Sequence, residues 1–278
     1  MNLRSLFSQY SEKLQAIYDK QESESLVFWL FEAFLKKGRL EILSDEFIEN
    51  VPQELYEALS QLLEKKPIQY ILGTAPFYGR EFKVDPSVLI PRNETEELVH
   101  LIIKENKRLN LRILDIGTGS GCIPISLALE IPSSKVYALD VSKEALAVAE
   151  ENAEEHEARV EFFQMDVLRE ELPVKDLDII VSNPPYVCES EKSLMHENVL
   201  QFEPHLALFV SDEDPLVFYK VIAHKAKSNL KIGGKIYFEI NEALGKATRN
   251  LLVDLDFSDV EVLKDLNGKD RMVKAVWG

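Results

Sequence analysis

Apolar residues recur at helical spacing from Leu3 to Leu63. Leu3, Leu6, Phe7, Tyr10, Leu14 and Ile17 share one face, and Leu26, Phe28, Trp29, Leu30, Phe31, Phe34 and Leu35 form a second stripe. Gly38 sits where that second helix should stop. A further helix is predicted from Pro52 to Glu64, with Leu55, Leu59, Leu62 and Leu63 on one face and Lys65-Lys66-Pro67 ending it. The pattern predicts a small all-helical unit over residues 1–67, with the aromatic stripe in its core. Between residues 68 and 91 the spacing changes. Gly73, Pro76, Gly79 and Pro86 punctuate short β-prone pieces, which predicts a hairpin linker. A helix follows from Thr95 to Lys107, with Leu98, Val99, Ile102 and Ile103 inward and Glu94, Glu96 and Glu97 near its positive end.

From Arg112 onward apolar strands alternate with amphipathic helices, and residues 92–278 read as one domain. Strands are predicted at Ile113–Ile116, Val136–Leu139, Val160–Gln164, Leu177–Ser182, Lys235–Glu239, Val260–Leu263 and Met272–Val276. Helices are predicted around Ile123–Glu130, Lys143–Glu154, Pro215–Leu230 and Ala243–Val253. Such alternation builds an α/β fold, a parallel sheet covered by helices on both faces. The polar stretch Cys188–Leu200 lacks periodicity and reads as a mobile lid that orders on substrate binding.

Composition narrows the function. Against 48 Asp and Glu stand 32 Lys and Arg, a formal charge of −16. A chain so acidic is poorly suited to hold nucleic acid through a basic surface. No apolar run approaches the ~20 residues of a membrane span, and the start, MNLRSLFSQYSEK, lacks the apolar core of a signal peptide. Cys122 and Cys188 are the only cysteines, which points to a reduced, cytoplasmic setting, and neither has a His beside it in a nucleophile motif. The five histidines show no ligand spacing, so no metal is expected.

Two segments carry chemistry. Asp115-Ile116-Gly117-Thr118-Gly119-Ser120-Gly121 places a glycine-rich turn between a strand and a helix, where backbone must approach a ligand closely. Cys122 stands where a dinucleotide fingerprint would want its last glycine, so a ligand without phosphates is favoured. Asp140 ends the next strand, where a carboxylate can accept from both ribose hydroxyls, and Asp115 is near whatever cation the ligand carries. S-adenosyl-L-methionine fits, having a ribose, an adenine, an ammonium and a sulfonium. The second segment, Asn183-Pro184-Pro185-Tyr186, follows the strand ending at Ser182. Its prolines remove backbone donors and leave carbonyls facing outward. If the Asn183 side-chain oxygen and the Pro184 carbonyl each accept one N–H of a planar NH₂, they favour its pyramidalisation and aim its lone pair at a sulfonium methyl. Tyr186 can stack on the flat group that carries it.

These two segments resemble the class I S-adenosylmethionine-dependent methyltransferases that act on planar nitrogens, which include adenine-N6 enzymes on DNA or RNA and glutamine-N5 enzymes on proteins. Three further segments resemble the peptide chain release factor glutamine methyltransferases: Leu89-Ile90-Pro91-Arg92-Asn93-Glu94-Thr95-Glu96-Glu97-Leu98, Gln201-Phe202-Glu203-Pro204, and Asp265-Leu266-Asn267-Gly268-Lys269-Asp270-Arg271. Asn93 replaces the proline usual in that family, and the cousins acting on a ribosomal protein match less well.

The resemblance implies a Rossmann-like class I sheet of seven strands, the last antiparallel, behind a helical substrate-recognition domain. It implies that Gly117 to Gly121, Asp140 and Asn183 contact S-adenosylmethionine and that Asn183, Pro184, Pro185 and Tyr186 hold the glutamine of a Gly-Gly-Gln loop in class I release factors. S-adenosyl-L-homocysteine would be the product. Where the family often has an aromatic against the adenine, Asp166 is here followed by Val167, so that packing would be aliphatic. Charge separates the readings, since an enzyme acting on a nucleic-acid base must neutralise phosphates. A protein substrate is expected, with no direct nucleic-acid partner and no membrane.

Overall fold

Two side chains start the first helices. Asn2 Oδ1 accepts the Ser5 N–H at 3.0 Å and begins α1 (Leu3–Leu14), and Asp19 Oδ1 accepts the Glu22 N–H at 2.9 Å and begins α2 (Lys20–Leu35). Lys36 takes a left-handed conformation (φ 55°) that stops α2 before Gly38, which starts the short α3 (Arg39–Ile42). α4 (Gln53–Leu63) and α5 (Ile68–Leu72) follow. Leu6, Phe7, Leu30, Phe31, Leu55, Leu59 and Ile68 share one core, in which the Phe7 and Phe31 rings meet edge to face at 6.1 Å. The aromatic stripe is wider than that core, for Trp29 is 38% exposed. The computed structural model describes residues 2–44 and 46–278. It divides into two units, one of residues 1–73 with His196–Phe202 and one of Thr74–Met195 with Glu203–Gly278.

The expected hairpin linker begins later than the sequence suggests. Ile68–Leu72 is helical, closed by Gly73 at φ 74°, and only then come β1 (Thr74–Phe77) and β2 (Arg80–Lys83), which pair antiparallel. The rest of the second unit runs α6 (Asn93–Glu105), β3 (Arg112–Ile116), α7 (Cys122–Glu130), β4 (Lys135–Asp140), α8 (Lys143–Glu155), β5 (Val160–Gln164), β6 (Leu177–Ser182) and β7 (Val187–Cys188). The stretch read as a lid holds a 3-10 turn at Glu189–Leu194 and then α9 (Glu197–Phe202), which groups with the helical unit. After it come α10 (His205–Leu208), β8 (Phe209–Val210), α11 (Val217–Asn229), β9 (Leu230–Glu239), α12 (Gly245–Asp254), β10 (Phe257–Lys264) and β11 (Asp270–Trp277).

Seven strands form the main sheet in the order β10-β11-β9-β6-β3-β4-β5. β11, the last strand, is antiparallel to both neighbours, and β9, β6, β3, β4 and β5 are parallel. Side chains alternate across it as the pleat requires. Leu114, Ile116 and Ile180 pack on one face with Tyr219, Ile222 and Ala223 of α11, and Ile113, Ile179 and Val181 pack on the other with Leu98 and Ile102 of α6 and Ile125 of α7. From β3 the chain proceeds outward through β4 to β5 on one side and resumes at β6 on the other. This reversal opens a crevice at the carboxyl ends of β3 and β6, the usual ligand site of such sheets.

Candidate active site

At the end of β3 the chain turns through Gly117, Gly119 and Gly121, with φ of 77°, 53° and 80°, a region that side chains enter only with strain. The three have different tasks. A Cβ at Gly117 or Gly119 would meet nothing within 4 Å, so these two present open backbone. One at Gly121 would lie 3.0 Å from Ile125 Cδ1 and 3.1 Å from Ala149 Cβ, so this glycine lets α7 and α8 pack closely. The loop is tied to β4: Leu139 O accepts the N–H groups of Gly117 and Thr118 at 2.9 and 3.1 Å. Asp140 accepts from Gly119 N–H at 2.9 Å on Oδ2 and from Ser142 N–H at 3.0 Å on Oδ1. Each Asp140 oxygen keeps a further acceptor position. Burial raises the Asp140 pKa, against the pull of the Gly119 and Ser142 N–H groups.

Asp115 is fully buried under this loop, and neither carboxylate oxygen has a hydrogen-bond partner of normal geometry among the described residues. Burial pushes its pKa up to about 7. The Asp140 charge adds to the rise, while the nearby Thr118 hydroxyl and Ile116 N–H oppose it. An orphaned buried carboxyl is costly unless a partner of opposite charge is supplied.

A cavity of about 340 Å³ opens above the loop, within the ~300–1,000 Å³ typical of small-molecule sites. It is lined by Gly117, Thr118, Gly119 and Ser120, by Asp140, by Asp166 and Val167 after β5, and by Asn183, Pro184 and Pro185 after β6, with Met165, Phe218 and Ile222 as an apolar wall. Asp115, Gly121 and Tyr186, though singled out by sequence, are not part of the lining. Cys122 does reach it, but burial pushes its thiol up to about 12, which leaves it protonated and inert. Among the described residues no group of three or more His, Cys, Asp or Glu is placed to hold a metal ion.

The turn after β6 is held from behind. Ser182 Oγ donates to Ile116 O at 2.7 Å, which fixes the end of β6 against the end of β3. Asn183 Nδ2 donates to Thr95 Oγ1 at 3.2 Å, so the donor end of its amide faces Thr95 and the oxygen faces the other way. Thr95 in turn donates to Glu239 Oε2 at 2.7 Å, and the Tyr186 hydroxyl donates to Glu239 Oε1 at 3.2 Å. Glu239, at the end of β9, is 1% exposed. This bond fixes the hydroxyl end of Tyr186, whose ring is partly buried. Burial raises the Glu239 pKa, and the Thr95 bond and the Arg271 charge oppose that rise.

The three segments that prompted the narrower resemblance also brace the site. Arg92 Nη2 donates to buried Glu203 Oε1 at 2.6 Å, and Ile90 N–H to its Oε2 at 3.3 Å. Asp265 accepts the N–H groups of Asn267 and Lys269, each at 2.9 Å, and Arg271 Nε at 3.3 Å. Glu96 accepts the Tyr78 N–H at 2.9 Å and Glu97 the Leu266 N–H at 3.1 Å, so both anchor backbone besides meeting the α6 dipole. Sequence reasoning missed Glu239 and the pairing of Glu203. A carboxylate closing the apolar run Ile236-Tyr237-Phe238 was the available signal for the first.

The donor set fits a nucleoside bearing a cation better than a phosphate. Acidic Asp140 and Asp166 line the cavity and unpaired Asp115 lies beneath it, and the one basic residue in the lining, Arg92, is paired with Glu203.

A family profile described as methyltransferase small domain matches residues 94–207. The chain is 48% identical to the release factor glutamine methyltransferase of Flavobacterium psychrophilum, covering 99% of each chain. It is 48% identical to the protein of that name from Bacteroides thetaiotaomicron, over 95% of this chain and 96% of the other. To that from Streptococcus pneumoniae it is 44% identical over 98% of each. Among solved structures, a methyltransferase from Pyrococcus furiosus superposes with a TM-score of 0.54 at 18% identity, covering 80% of this chain and 98% of that one, a likeness of fold alone.

Proposed function

The chain belongs to the release factor glutamine methyltransferase family, and we propose that it moves a methyl group from S-adenosyl-L-methionine to the side-chain amide nitrogen, N5, of the glutamine in the Gly-Gly-Gln loop of class I peptide chain release factors. S-adenosyl-L-homocysteine is the co-product. The orientation of Asn183 carries this reading. Its Nδ2 is committed to Thr95, which leaves Oδ1 to accept an N–H from a substrate amide.

Bound S-adenosylmethionine supplies a methyl carbon made electrophilic by its sulfonium. The protein does the rest by placement. The open backbone at Gly117 and Gly119, with Thr118 and Ser120, would receive the ligand's middle. Asp140 has acceptor capacity left that would serve a ribose, Asp166 and Val167 would border the adenine, and buried, unpaired Asp115 would offset the ammonium. Asn183 Oδ1 and the Pro184 carbonyl each accept one N–H of the glutamine amide. Its lone pair, otherwise delocalised into the carbonyl, is then turned toward the methyl carbon. No strong base is needed before transfer, because the amide proton becomes acidic only once the nitrogen is alkylated. Water can accept it afterwards.

The test is incubation with labelled S-adenosylmethionine and either a purified release factor or bulk RNA. Label on the Gly-Gly-Gln glutamine, located by peptide mass spectrometry, is the expected result. Label in RNA alone would overturn the proposal.

A further inference from the structure

We propose that Glu239 and Thr95 act as positioning residues, a one-way hydrogen-bond chain that fixes which end of the Asn183 amide faces the substrate. The inference rests on the function proposed above and goes one step further. An Asn amide has a donor end and an acceptor end of nearly equal shape, so packing alone does not choose between its two flips. Only one flip presents two acceptors, Asn183 Oδ1 and Pro184 O, to a substrate NH₂. The other would set two NH₂ groups against each other.

The choice is made where Thr95, part of the cavity lining, meets buried Glu239 behind it. As a carboxylate, the form that the Thr95 bond and the Arg271 charge favour against burial, Glu239 is an acceptor only. The Thr95 hydroxyl has a single proton and gives it to Glu239 Oε2 at 2.7 Å. What Thr95 Oγ1 has left for Asn183 is a lone pair, and Nδ2 meets it at 3.2 Å. Polarity therefore runs one way, from Asn183 through Thr95 to Glu239. The second Glu239 oxygen takes the Tyr186 hydroxyl at 3.2 Å, and Asn241 Nδ2 donates to Tyr186 O at 3.3 Å. One buried carboxylate thus holds both ends of the Asn183–Tyr186 turn. With Glu239 1% exposed and Thr95 3% exposed, water has little access to substitute for either link.

The experiment measures turnover on intact release factor, together with S-adenosylmethionine affinity, for the full chain and for Thr95→Val, Thr95→Ser, Glu239→Gln and the double variant Thr95→Val/Glu239→Gln. Removing the hydroxyl in Thr95→Val should lower kcat about tenfold, the worth of one net hydrogen bond biasing the flip. Thr95 reaches the cavity lining, but its hydroxyl is taken up by Glu239 and Asn183, so cofactor Kd should stay within about twofold. Thr95→Ser should restore most of the lost turnover. Gln in place of Glu239 has the same shape but can donate to Thr95 and reverse the chain, so kcat should fall there too. The double variant should be no slower than the slower single, because both break one chain. Parent-like kcat in Thr95→Val overturns the inference, as does a Thr95→Ser variant as slow as Thr95→Val. If Thr95→Val does not fold, Glu239→Gln decides: parent-like turnover there is equally fatal. Failure of the function itself is separate, since it would show as absence of glutamine methylation by the parent chain.

Discussion

Asp115 should make both stability and cofactor affinity depend on pH in a way that its neutral isostere Asp115→Asn abolishes. Its carboxyl is fully buried without a hydrogen-bond partner among the described residues, and its pKa is raised from 3.8 to about 7. In the unfolded chain the ordinary value applies. Between those two values the folded protein therefore holds the proton more often than the unfolded one, and stability falls as pH rises. The loss begins above about pH 4 and is complete above about pH 7. At roughly 1.4 kcal/mol per unit, three units set a ceiling on the order of 4 kcal/mol. Denaturant titrations of parent and Asp115→Asn at pH 5 and pH 8 isolate this contribution as a difference of differences.

A cation seated in the adjoining cavity pulls the same pKa down, so binding releases a proton and tightens with pH. The ionised fraction rises from about 0.1 at pH 6 to about 0.9 at pH 8, which allows up to about a tenfold gain in affinity. Calorimetry with S-adenosylhomocysteine, which retains the ammonium, should show that gain in the parent and a flat response in Asp115→Asn. Adenosine, which lacks the ammonium, should show no gain in either. Equal slopes in parent and variant would refute the assignment of Asp115 to the ligand's cation.

Two further substitutions have outcomes set by the geometry. Asp140→Ala removes acceptors for Gly119 and Ser142 as well as for a ribose, and cofactor affinity measured by calorimetry should fall by about 2–3 kcal/mol; unchanged affinity would remove Asp140 from the site. Glu203→Ala strands the Arg92 guanidinium, whose side chain is 35% exposed while that of Glu203 is 2% exposed. Stability in denaturant should fall by about 2 kcal/mol, less than for a wholly buried pair because water reaches the arginine, and a change below about 0.5 kcal/mol would mean that the pair does not brace the loop.

What was legible in the sequence was local or periodic. The alternation of strands and helices after Arg112 shows as a period repeated along the chain, the glycine loop and the Asn183-Pro184-Pro185 turn each declare themselves within a dozen residues, and the fold carries loop and turn to one cavity because both follow parallel strands. The helix Ile68–Leu72 is hidden in the sequence because five residues are too few to show a helical period. The roles of Glu203 and Glu239 were hidden for another reason. Their partners Arg92 and Thr95 lie 111 and 144 residues away along the chain, and no local pattern announces such a pairing. The bond from the Tyr186 hydroxyl to Glu239 is hidden for the same reason, since 53 residues separate the two.

Asn183→Ala removes the oxygen proposed to grip the glutamine amide while leaving the glycine loop and Asp140 untouched. Single-turnover methylation of an intact release factor, read by mass spectrometry with cofactor saturating, should slow by about 10²-fold or more, as for loss of one preorganised partner of a transition state. Cofactor affinity should change far less. A rate within about threefold of the parent's would show that the amide is not held by Asn183.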